Sequence, residues 1–79
     1  MLLVLAACTA VAADSAEQRA QAAYESEQYE LAYRLWLTAA ERGDARAQSG
    51  LGLLYRRGQV VEKDPAAALA WFRKAAAQG

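Results

Sequence analysis

No histidine occurs in the 79 residues, and the one cysteine, Cys8, lies in an N-terminal apolar stretch. A disulfide framework, a zinc site and a Cys/His nucleophile are therefore excluded within the chain. Net charge is missing too, because nine basic and nine acidic side chains are mixed along the sequence. No block of one sign marks a nucleic-acid surface, and Arg56-Arg57 is better read as cation placement at a helix C-terminus. There is no phosphate-cradling glycine loop and no pair of carboxylates set apart as acid and base. The sequence thus offers no catalytic, cofactor-binding or metal-ligating residues, and it reads as a non-enzyme. At this length there is room for one small domain at most.

The longest apolar run, Leu2 to Ala13, gives way at once to the polar Asp14-Ser15-Ala16-Glu17. It falls short of the about 20 residues that span a membrane. Residues 1–13 read as the core of a secretory signal, with Val11-Ala12-Ala13 supplying small residues for cleavage before Asp14. That reading places the protein in the periplasm or outside the cell. Leu5-Ala6-Ala7-Cys8 also resembles a bacterial lipobox, which makes Cys8 a lipidation site in the alternative reading; an uncleaved apolar helix is the third. No Lys or Arg follows Met1, so the basic n-region of a signal is absent and the start of the protein is expected further upstream.

What the chain does contain is itself, twice. Trp36-Leu37-Thr38-Ala39-Ala40-Glu41-Arg42-Gly43 is echoed by Phe72-Arg73-Lys74-Ala75-Ala76-Ala77-Gln78-Gly79, 36 positions on. Self-similarity at such a period is the signature of a stacked helical array, a class that mostly binds other proteins. The pattern predicts four helices in two hairpins. The first covers about Ser15 to Glu27, with Ala16, Ala20, Ala23, Tyr24 and Glu27 at helical spacing. The second covers about Tyr29 to Arg42, carries the stripe Ala32, Leu35, Trp36, Ala39 and Ala40, and ends at Gly43. Asp44 caps a third, Ala45 to Arg57, whose stripe is Ala47, Leu51, Leu54 and Tyr55. Gly50 and Gly52 interrupt that helix, and Gly52 is read as a tight inter-helix contact. Gly58 stops it, a loop follows to Lys63, and Asp64-Pro65 opens the fourth helix. There Ala68, Leu69, Phe72, Ala75 and Ala76 form the packing face. Tyr24 and Tyr55 correspond at 31 positions rather than 36, so the second hairpin has the longer connection.

Residues 44–79 resemble a Sel-like repeat, a relative of the tetratricopeptide repeat. The matching residues are Ala47, Leu51-Gly52, Tyr55, Gly58, Val61, Asp64, Ala68, Trp71-Phe72, Lys74-Ala75-Ala76 and Gln78-Gly79. Residues 14–43 resemble the degenerate opening hairpin that precedes such repeats. Val60 departs from the pattern where the family usually has glycine, and a β-branched residue resists positive φ. Ala67 stands in for a common lysine. The resemblance implies an all-α, right-handed superhelix whose first helices line a concave, partner-binding surface, without catalytic machinery or cofactor. It also implies an adaptor of the bacterial envelope.

On the third helix Arg46, Leu53 and Arg57 share a flank about 90° from the packing stripe. The family geometry turns this flank toward the concave side, with Ser15, Ala22 and Ser26 in the corresponding places on the first helix. An apolar residue between two arginines suits an acidic or extended peptide of a protein partner; the competing reading is a solvated flank. The remaining acidic residues, after the caps Asp44 and Asp64, are assigned to polar faces and turns. Solenoids generally need about three repeats and a polar cap. A chain with one and a half is expected to be part of a longer array or to associate through the fourth helix, showing Ala66, Ala70, Ala77 and some of Leu69 or Trp71.

Overall fold

Three of the four described helices begin or end where the sequence supplies a cap. The computed structural model describes residues 16–78, with four helices and, among the described residues, no strand. They are α1 (Ala16–Glu25), α2 (Tyr29–Glu41), α3 (Ala45–Arg57) and α4 (Pro65–Ala77). The apolar leader with Cys8, as well as Ser15 and Gly79, lies outside the described residues. Asp44 Oδ1 accepts from the backbone N–H of Arg46 at 2.9 Å and of Ala47 at 3.1 Å. Asp64 Oδ1 does the same for Ala66 and Ala67, both at 3.1 Å, with Pro65 at the first helical position. Both caps satisfy amides that a helix start leaves without partners.

At the end of α2, Gly43 takes φ +94° and donates to the Ala40 carbonyl, while the Asp44 N–H reaches back to Ala39. That is the paired closure that a left-handed residue allows. The same closure ends α1, with Gln28 N–H on the Ala23 carbonyl at 2.8 Å and Glu27 N–H on Tyr24 at 3.0 Å. Here the left-handed position is filled by Glu27, at φ +63°. Glu27 therefore falls past the helix rather than on its apolar stripe. Its counterpart 31 positions on is Gly58, at φ +71°.

The helices pack in sequence, α1 on α2, α2 on α3 and α3 on α4, whereas α1 and α3 meet only sparsely. The core consists of Ala20, Ala23, Ala32, Trp36, Ala39, Ala40, Ala47, Leu51 and Leu54. Small residues dominate it, so the helices approach closely and the one buried indole fills most of the space between them. Two glycines of α3 make that approach possible. A methyl built on Gly50 would overlap Cδ2 and Cε2 of Trp36. One built on Gly52 would stand 2.8 Å from the Phe72 ring. Gly52 is thus the close contact its place in a helix implies, and Gly50 is a second.

On α4 the predicted packing face is only half used. Ala68 is buried and Phe72 and Ala75 are half-buried, but Ala76 is exposed and Leu69 is 49 % exposed. Ala66, Ala70 and Ala77 are exposed too, while Trp71 packs on the core edge beneath Lys74, whose Nζ stands 4.7 Å from the ring centroid. In α2 both flanks have a neighbour. In α4, among the described residues, only the α3 side does, which is why the equivalent residues are less covered.

The α3–α4 loop holds, among the described residues, a second non-glycine at positive φ. Val60 takes φ +68° between Gln59, whose carbonyl accepts from Val61 N–H at 2.7 Å, and Val61 itself, which packs on the core. An i to i+2 bond around positive φ is the rare, strained form of the γ-turn. Both neighbours are pinned, so the residue between them bears the distortion, and the valine adopts the backbone that a glycine would take more easily.

Candidate functional site

Because α1 and α3 stand apart, a groove of ≈410 Å³ opens between them, with Trp36 of α2 contributing to its lining. Glu17, Gln21 and Tyr24 line it from α1, and Arg46, Ser49, Gly50 and Leu53 from α3. The residues on each helix follow helical spacing, so each side is a single stripe. Tyr24 packs against Trp36 with ring centroids 5.5 Å apart, and against Tyr29 edge-on at 5.1 Å. The Trp36 indole nitrogen is buried without a hydrogen-bond acceptor among the described residues.

Of the three flank residues predicted from the sequence, Arg46 and Leu53 lie in this groove and Arg57 does not line it. Arg57 Nη1 instead donates to the Tyr24 hydroxyl at 2.7 Å, and that hydroxyl donates to Gln59 Oε1 at 3.0 Å. The chain of bonds ties α1 to the end of α3 and to the loop beyond it. Arg46 and Ser49 also line a shallower hollow on the other side of α3, with Ala45, Phe72, Ala75 and Ala76. Ala22 and Ser26 are exposed on or just after α1 and line neither hollow.

Glu17 departs from its assignment to a polar face. Its side chain is 11 % exposed, and its only ion pair among the described residues is with Arg46, Nη1 to Oε1 at 4.0 Å, from a side chain 82 % exposed. Burial follows from its place in the first turn of α1, in line with the core residues Ala20 and Ala23. Its counterpart 31 positions on, Gln48, is buried as well, donating to the Ala40 carbonyl at 3.2 Å and accepting from Gln78 at 2.9 Å. The repeat therefore keeps a buried polar residue here, and in the first hairpin that residue carries a charge. Tyr55, which does not line the groove, has its phenol pushed up by burial, then by Tyr33, which hydrogen-bonds it, and by Asp64.

Sequence reasoning treated Trp36 and Tyr24 as packing residues and passed over Glu17, Gln21 and Ser49. The signal that could have found the α1 side is Glu17, Gln21, Tyr24 at i, i+4 and i+7. Among the described residues no group of His, Cys, Asp and Glu could hold a metal ion, and no helix is long and apolar enough to cross a membrane.

Two successive helical hairpins, each with a left-handed residue closing its first helix and a buried polar residue at the equivalent position, define a helical-repeat protein. The pattern of the Sel1 repeat matches residues 20–44, on α1 and α2, and again 45–79, on α3 and α4. The chain belongs to the Sel1 repeat family. Repeats of this family generally mediate protein–protein interaction and are typically non-catalytic. Comparison with curated proteins and with solved structures finds no match.

Proposed function

We propose that this chain is a non-catalytic interaction module of the bacterial cell envelope, holding a segment of a protein partner in the groove between α1 and α3. The observation that carries the reading is that groove, open between two helices that barely touch, with a buried aromatic in its lining and polar groups on both walls. Concave sites of this kind, mostly apolar with a few convergent polar groups, are the default binding surfaces of a fold. Arg46 and Leu53 form the α3 wall, and Arg57 supports the groove through Tyr24. The apolar leader, residues 1–13, supports export to the periplasm or beyond.

A photo-crosslinking residue at Leu53 tests the site. It should join the chain to its partner in cells, while the same probe at Glu62, exposed in the α3–α4 loop, should not. Equal adducts from both positions, or none from Leu53, would refute the groove. A second reading, a structural lipoprotein tethered at Cys8, draws on Leu5-Ala6-Ala7-Cys8. Intact mass separates the two, since a diacylglyceryl adduct on Cys8 supports the tether and a mature N-terminus at Asp14 excludes it.

A further inference from the structure

The two arginines of the α3 flank suggest a site for acidic ligands, but the more buried charged side chain in the groove has the opposite sign. We propose that Glu17 is the receptor and that it takes the cationic head of a basic side chain, arginine or lysine, from the partner segment. This assignment rests on the α1/α3 groove being the partner surface.

The Glu17 side chain is only 11 % exposed, and the cation that meets it, Arg46, does so from solvent. The pair stands at 4.0 Å, the outer limit of an ion pair, and Arg46 is 82 % exposed and free to swing out. Pairs with one arm in solvent contribute little. Arg42 lines the hollow on the other side of Glu17 without forming an ion pair with it. Arg57 is held by Tyr24. Among the described residues, then, Glu17 has no close cationic partner, and a carboxylate gains most from a charge-assisted bond at short range.

The surroundings suit a long basic side chain. Tyr24, Trp36 and Leu53 line the same groove and can cover an aliphatic stem, while Glu17 meets the charged end. In this arrangement Arg46 is a weak internal competitor: it occupies Glu17 until a better-placed cation displaces it. The consequence is opposite in sign to an acid-binding groove. Removing Arg46 should strengthen binding here and abolish it there.

The test is a ¹⁵N NMR titration of the chain with three capped tetrapeptides, Ac-Ala-Leu-Arg-Ala-NH2, its citrulline analogue and its glutamate analogue. The Trp36 indole N–H and the Gln21 and Ser49 amides report on the groove. The arginine peptide should shift all three, with the citrulline peptide about tenfold weaker. Glu17→Gln should erase that difference, with helicity by circular dichroism as the check on folding. Arg46→Gln should bind the arginine peptide several-fold tighter. Equal binding of arginine and citrulline peptides, preference for the glutamate peptide, or loss of binding in Arg46→Gln would each overturn the assignment to Glu17 while leaving the groove as a binding surface. Absence of shifts at these three reporters with every peptide would overturn both.

Discussion

Replacing Gly50 with alanine sets two physical terms against each other within one helix. By helix propensity alone the change stabilises, by about 1 kcal/mol. The structure predicts the opposite, because the new methyl would overlap Cδ2 and Cε2 of Trp36 and lie 2.9 Å from Cε3. The indole is 2 % exposed and has Tyr24 packed against it, so it yields only by pushing Tyr24 aside toward the groove or by separating α2 from α3. Overpacking of a closed core costs about 1–3 kcal/mol or more, and a clash with a rigid, enclosed ring belongs at the upper end. The net expectation is a loss of about 1–2 kcal/mol, which for a domain of this size lowers Tm by about 5–15 °C. Gly52→Ala is the internal control. Its propensity gain is the same, but its neighbour is Phe72, a half-buried ring that can turn toward solvent, so the change should be close to neutral. Thermal unfolding followed by circular dichroism at 222 nm reads both variants. The double variant Gly50→Ala/Trp36→Leu should lose less than the two single changes summed, because the smaller side chain makes room. A Tm that rises in Gly50→Ala, or falls equally in both glycine variants, would refute the packing argument.

Four further outcomes follow from the caps, the turns and the titratable core. Val60→Gly should stabilise the fold by about 0.5–1 kcal/mol, since relief of a left-handed valine outweighs the added entropy of the unfolded chain; an unchanged or lower denaturation midpoint would count against it. Glu27→Gly should do the same at the end of α1, by a similar amount, whereas Glu27→Ala, which keeps the side-chain penalty, should gain nothing in the same denaturant titration. Asp44→Ala should cost about 1 kcal/mol through two unsatisfied amides, and Asp44→Asn should keep most of it. Tyr55, whose phenol is raised by burial first, should leave stability unaffected by its titration below the ordinary phenol range. Stability should then fall as pH rises from there through the raised value, because only the unfolded chain ionises readily. Absorbance at 295 nm should show one late-titrating phenol that Tyr55→Phe removes.

The ends of α2, α3 and α4 were legible because Gly43, Asp44, Gly58 and Asp64-Pro65 each act locally, through bonds within a few residues. The buried stripe of α2 was legible for the same reason, since one helix carries the whole pattern. What escaped depends on a second helix. The burial of Glu17 is decided by what packs beside the first turn of α1, and a lone carboxylate gives no local sign of it. Arg57 looked free on the flank of α3, because its partner, Tyr24, is 33 positions away in sequence. The open half of α4 could not be read from its own apolar pattern either, since Ala40 and Ala76 are alike in sequence, yet α2 packs between α1 and α3 whereas α4, among the described residues, packs on α3 alone. Glu27 lay between these cases. Its backbone is local, and alignment with Gly58 at 31 positions marks it, but the glutamate itself reads as one more helical residue.

The bond chain from Arg57 through Tyr24 to Gln59 has a thermodynamic consequence. In a linear array each unit senses only its neighbours, and the units can fray one at a time from the ends. Here one hydroxyl on the first helix fastens the last turn of the third and the turn that leads into the fourth. Detaching α1 releases Gln59, one of the two clamps on the strained valine beside it. The loop then loses a reason to hold its shape, and α4 loses the anchor of its approach. Two hairpins that could melt separately are thereby made to melt together.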